Sequence, residues 1–143
     1  MNAQGEVVRH RRWPASLEHV SDARSFVSES VAAWTIGTCD EDVRLVTSEL
    51  VANAVVHART PFTVGVSWSG KIVLIEVTDG SKEFSLRKHH TPGLIGGLGL
   101  VLVQAVSVRW GWDATRDGKT VWAILRAPGG TAARPVPTLQ MAQ

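Results

Sequence analysis

The chain has 143 residues, 44% of them hydrophobic, and its 15 Lys and Arg stand against 13 Asp and Glu for a formal net charge of +2. That length and apolar content suit one domain around a single core, and a charge so near balance argues against a protein devoted to nucleic acid. The single cysteine, Cys39, excludes an intrachain disulfide and fits a reducing cytoplasm. Residues 6–12 are charged rather than apolar and no run approaches the roughly 18 apolar residues of a membrane helix, so neither a signal peptide nor a membrane span is expected.

The chain opens with a short extended stretch over residues 7–13, whose basic cluster Arg9-His10-Arg11-Arg12 reads as a solvated strand edge. Pro14 and Ser16 precede Val20, Ala23, Val27, Val31 and Trp34, whose steps of three and four predict an amphipathic helix stopped by Gly37. Thr38 and Glu41 have the spacing of a capping box, which starts a second helix expected to end near Ala58. Phe62, Val64, Val66 and Trp68 alternate with smaller or polar residues as in a strand covered on one face. After the Ser69-Gly70 turn, a β-branched strand over 72–78 runs into Asp79-Gly80, and period two puts Asp79 on the face of Val73, Ile75 and Val77.

The pattern lapses over 81–94, which reads as a mobile loop. Gly93, Gly96, Gly97 and Gly99 then lead into an apolar helix over 98–106, and two strands near 108–115 and 120–125 follow, joined by Asp117-Gly118. Residues 127–143, rich in Pro, Gly and Ala, read as a flexible tail after a single domain over 1–126. The order predicts an α+β two-layer sandwich, a mixed and mostly antiparallel sheet with helices packed on one face.

Within the second helix, Glu49, Asn53 and His57 stand four residues apart among apolar neighbours, which puts all three on one stripe. The glycine turn before Leu100 offers backbone N–H groups at a helix start, which suits phosphate. An Asn amide oxygen is a hard ligand for Mg²⁺, a carboxylate one turn away can take a proton from a hydroxyl, and a carboxylate at a strand end can accept a bond from an exocyclic amine. Together these parts describe a pocket for Mg²⁺ and ATP.

The succession Glu49-x-x-x-Asn53, Asp79-Gly80, Gly97-Leu98-Gly99-Leu100 and Gly118-Lys119-Thr120 resembles the Bergerat-fold ATPases of the GHKL superfamily. The short length, the phrase Ser-Glu-Leu-Val-x-Asn-Ala-x-x-His-Ala over 48–58 and the closing Asp-Gly-Lys-Thr-Val-Trp are similar to the anti-sigma-factor serine kinases of the RsbW and SpoIIAB type. The resemblance spans residues 13–125. It implies Asn53 on Mg²⁺, Glu49 as catalytic base, Asp79 with Gly80 at the adenine amino group, Gly97, Leu98, Gly99 and Leu100 near the phosphates, Thr120 supporting the adenine or phosphate end, and an ATP lid over 81–97. It further implies a sigma factor and an anti-sigma antagonist of the STAS type as partners, and a homodimer. The chain departs from the superfamily after its aspartate, where glycines often stand two and four positions on and this chain has Ser81 and Glu83.

Each residue also has a plainer reading. Glu49 can be a satisfied polar residue, Asp79-Gly80 only a turn, the glycines only a close helix approach, and Thr120 only a strand residue; for His57 a structural role is preferred. His89-His90 lacks the partner pattern of a metal site. The leading expectation is an ATP-dependent serine/threonine protein kinase. The alternative is a nucleotide-responsive adaptor that transfers no phosphate; a detached sensor kinase domain and a DNA-binding protein rank below both.

Overall fold

The computed structural model describes residues 6–34, 39–83 and 100–127. Five strands, β1 (Val7–Trp13), β2 (Phe62–Trp68), β3 (Ile72–Asp79), β4 (Arg109–Ala114) and β5 (Lys119–Arg126), form one sheet in the order β1-β2-β3-β5-β4. The helices are α1 (Glu18–Trp34), α2 (Asp40–Asn53) and α3 (Leu100–Val106), with a π-helical turn over Ala54–Ala58 continuing α2. The expected α+β sandwich is therefore present, with one correction. Among the described residues every pair of adjacent strands is antiparallel, where a mixed sheet was expected. β4 does run in the direction of β3, but its hairpin partner β5 is wedged between them and removes the parallel contact.

The core lies between the helices and one face of the sheet. Val20, Ala23, Val27 and Val31 of α1 are buried as their spacing predicts, and Val43, Val46, Leu50 and Val51 supply the matching stripe of α2. Facing them are Val64 and Val66 of β2, Val73, Ile75 and Val77 of β3, and Val121, Ala123 and Leu125 of β5. Trp13 closes one end, stacked on Phe62 at 5.8 Å between ring centroids and edge-on to Phe26. Apolar area removed from water on this scale is the main favourable contribution to folding.

α2 starts differently from its expected capping box. Cys39 occupies the cap position with no side-chain cap bond, and Thr38 lies outside the described residues. Three acids in the first turn, Asp40, Glu41 and Asp42, instead complement the positive end of the helix dipole. The Ser28 hydroxyl donates to Asp40 and ties α1 to α2, while Arg44 Nε donates to the other Asp40 oxygen at 2.9 Å. Chiefly through the Ser28 bond, the Asp40 carboxyl is held below its usual range. At the far end, the Arg59 N–H reaches back five residues to the Ala54 carbonyl at 2.9 Å, with Arg59 in the left-handed region at φ 59°. That i to i+5 bond defines the π turn, a local widening absent from the sequence pattern.

Candidate functional site

α2 packs against the sheet, so residues of its inward stripe must find partners in the interior or meet a ligand there. Asn53, its last residue, is only 5% exposed. Asn53 Nδ2 and Glu49 Oε2 are both buried with no hydrogen-bond partner among the described residues. A buried polar atom without a partner costs about 1–3 kcal/mol, so two of them one helical turn apart form a locally unfavourable patch that a polar ligand would relieve. Burial also pushes the Glu49 carboxyl above its ordinary value, which raises its affinity for a proton. The third member of the stripe behaves differently. His57 falls in the π turn, where the four-residue spacing that aligns Glu49 with Asn53 is broken, and it is half-buried.

A second cluster sits where β3 ends. Asp79 lies directly opposite Lys119, the first residue of β5, on the core side of the sheet. Lys119 Nζ donates to Asp79 Oδ2 at 2.9 Å and Oδ1 at 3.1 Å, and its side chain and that of Asp79 are 2% and 1% exposed. The third ammonium donor points to the Ser81 carbonyl at 3.4 Å. Ser81 N–H in turn donates to Asp79 Oδ1 at 2.8 Å, and the next N–H back, that of Gly80, donates to the Thr60 hydroxyl at 2.8 Å. Thr60 follows the π turn by two residues, so this bond fixes the end of β3 to the end of the α2 segment. Gly118 must be glycine, because a Cβ there would fall 1.8 Å from the Asp79 carbonyl oxygen.

Thr120, expected to support the adenine or phosphate end, does not meet the Asp79 side chain. Thr120 pairs across the ladder with Thr78, and their hydroxyls share a hydrogen bond of 2.7 Å on the sheet face away from the helices. Period-two alternation makes this unavoidable, since Lys119 and Thr120 are neighbours and must point to opposite faces. Lys119 is thus the residue that reading by motif passed over. The signal that finds it is the β3–β5 register, which no local pattern reveals.

Gly97, Leu98, Gly99, His89 and His90 lie outside the described residues, as does most of the 81–97 segment; Leu100 opens α3. α3 packs against α2, which brings the chain that follows the glycine turn to the same helical layer. Among the described residues no group of three His, Cys, Asp or Glu is placed to hold a metal ion. No helix there is long and apolar enough to cross a membrane.

A family model described as a histidine kinase-like ATPase domain matches residues 13–125. The chain belongs to this family. No curated protein matches it. As a histidine kinase-like ATPase domain of the GHKL type it binds ATP, and the matched span runs from the end of β1 to the penultimate residue of β5. Both polar clusters of this ATPase domain, Glu49 with Asn53 and Asp79 with Lys119, therefore fall inside the matched region.

Proposed function

We propose that this ATPase domain is a serine/threonine protein kinase of the anti-sigma-factor type, transferring the γ-phosphoryl group of ATP to a hydroxyl on a STAS-type antagonist. The observation that carries the reading is the pair on α2: a buried amide nitrogen of Asn53 and a buried carboxylate oxygen of Glu49, each without a partner among the described residues. Glu49 would take the proton of the attacking hydroxyl, a role that suits a carboxyl with a raised proton affinity. Asp79 would accept the adenine amino group, with Gly80 beside it, while Gly97, Leu98, Gly99 and Leu100 would lie along the phosphates.

Mg²⁺ fits the residues present, because the Asn53 amide is buried yet has an unpartnered nitrogen, so the side chain is not fully committed within the protein. Asn53 would hold it through the amide oxygen, a hard donor of the kind Mg²⁺ prefers. The metal would offset charge on the transferred group. A sigma factor as second partner, a homodimer and a cytoplasmic setting belong to the same proposal and rest on the resemblance of residues 48–58 and 117–122 to the anti-sigma kinases.

The test is incubation with γ-labelled ATP and purified STAS-domain proteins, alongside calorimetry of ATP binding. Transfer of label to a serine or threonine of one of them, lost in Glu49→Gln with ATP binding retained, is the expected result. Tight ATP binding with no label on any candidate would leave the adaptor reading instead.

A further inference from the structure

The Asp79–Lys119 pair has a chemistry that a lone carboxylate lacks. Asp79 offers an acceptor and, 2.9 to 3.1 Å away, Lys119 offers a donor, both side chains almost closed to water. The six-membered edge of adenine presents the matching order, an N–H donor on the exocyclic nitrogen and, at the adjoining ring atom, the N1 acceptor. We propose that Lys119 is a base-reading residue, donating to adenine N1 while Asp79 accepts from the 6-amino group; this rests on Asp79 holding that amino group, as proposed above.

Three features of the pair support the assignment. First, an ammonium has three donors, and the two short bonds to Asp79 leave the third on a long 3.4 Å contact to the Ser81 carbonyl, the weakest bond and the one most easily exchanged. Second, Asp79 keeps acceptor capacity. Its two oxygens receive Lys119 and Ser81 N–H, three bonds against about four lone-pair sites. Third, the cluster cannot retreat. Lys119 is fixed opposite Asp79 by strand register, Gly118 holds the strands at contact distance, and Thr60 anchors Gly80. A neutral base thus meets a site whose charges already cancel, and no ion need be desolvated when it enters.

The experiment compares the binding of ATP, 1-deaza-ATP, which lacks the N1 acceptor, and purine riboside triphosphate, which lacks the 6-amino group, by calorimetry on the full chain. For the unsubstituted protein, 1-deaza-ATP should bind at least about tenfold more weakly than ATP, the size of one hydrogen bond to a charged group. In Lys119→Met that ratio should fall to about one. Because Lys119→Met leaves a lone buried carboxylate that works against folding, Asp79→Asn/Lys119→Met, which removes both charges, serves as the second variant and should show the same ratio of about one. Equal binding of ATP and 1-deaza-ATP by the unsubstituted protein overturns the inference, as does a tenfold ratio that survives loss of Lys119. Purine riboside triphosphate binding as tightly as ATP would instead remove the Asp79 assignment on which the inference stands, a distinct failure read in the same titrations.

Discussion

Lys119 and Asp79 meet across the last rung of the β3–β5 ladder, ammonium to carboxylate at 2.9 and 3.1 Å, both side chains almost wholly shut off from solvent. A buried pair of this kind is costly to break from one side, because the survivor is a charge without hydration or counter-ion. Lys119→Met should therefore lower stability in urea unfolding by about 3–5 kcal/mol. Asp79→Asn/Lys119→Met should recover much of that loss. A double variant no more stable than the single would show that packing of the lysine stem, and not the stranded carboxylate, sets the cost.

Glu49 is raised by burial, which gives a pH dependence of definite sign. A carboxyl whose folded-state pKa lies above its unfolded value favours folding while protonated. That contribution is complete below the ordinary 4.5 and is lost as pH rises through the folded value. Glu49→Gln, which mimics the protonated group, should therefore melt higher than the unsubstituted protein at neutral pH, with the gap closing under acid. Thermal melts across pH 4 to 8 check it; a constant gap would mean the side chain acts through shape alone.

Asp40 works in the opposite sense. Its carboxyl is lowered, first by the Ser28 bond, so the stabilisation is present above the ordinary 3.8 and disappears as pH falls through the lowered value. Ser28→Ala should destabilise the α1–α2 contact near neutrality by about 1 kcal/mol, the net worth of one such bond, and by less in acid. Paired melts at neutral and acid pH decide the matter.

Gly118→Ala places a Cβ where the Asp79 carbonyl oxygen stands, a 1.8 Å contact between backbone atoms that no side-chain rotation relieves. The strands must part at the very rung that aligns Asp79 with Lys119. Overpacking of this sort costs about 1–3 kcal/mol or more, and ATP affinity should fall with it. Retained affinity in a variant of normal circular dichroism would show that the rung tolerates separation.

Asn53→Ala separates metal from nucleotide. With Mg²⁺ present, ATP affinity should drop at least about tenfold, a loss of ~1.4 kcal/mol. In chelator, where no metal can bridge, the variant and the unsubstituted protein should bind ATP alike. An equal loss in both conditions would place the amide on the nucleotide itself.

The sequence was informative wherever periodicity carried the information. The buried stripes of α1 and α2, the alternation of β2 and β3, and the inward placement of Asp79 all follow from steps of 3.6 or 2 residues counted within one element. Two features did not, for a common reason: they depend on more than one element's own repeat. The π turn after Asn53 is a five-residue hydrogen bond with no compositional mark, and it detaches His57 from the stripe it shares on paper with Glu49. The partner of Asp79 depends on how β5 slides along β3, so the motif that singled out Thr120 left the neighbouring Lys119, which register delivers to Asp79, without a role.

That register begins at the short β4–β5 turn, closed by the Thr115 N–H on the Gly118 carbonyl at 2.9 Å. Deleting a single residue there, with the rest of β5 kept in step with the turn, would rotate the strand's alternation by half a period. A hydroxyl would then stand before Asp79, and the ammonium would face outward. The number of residues in a surface turn, and no substitution in the sheet, would have replaced a compensated ion pair with a lone buried carboxylate.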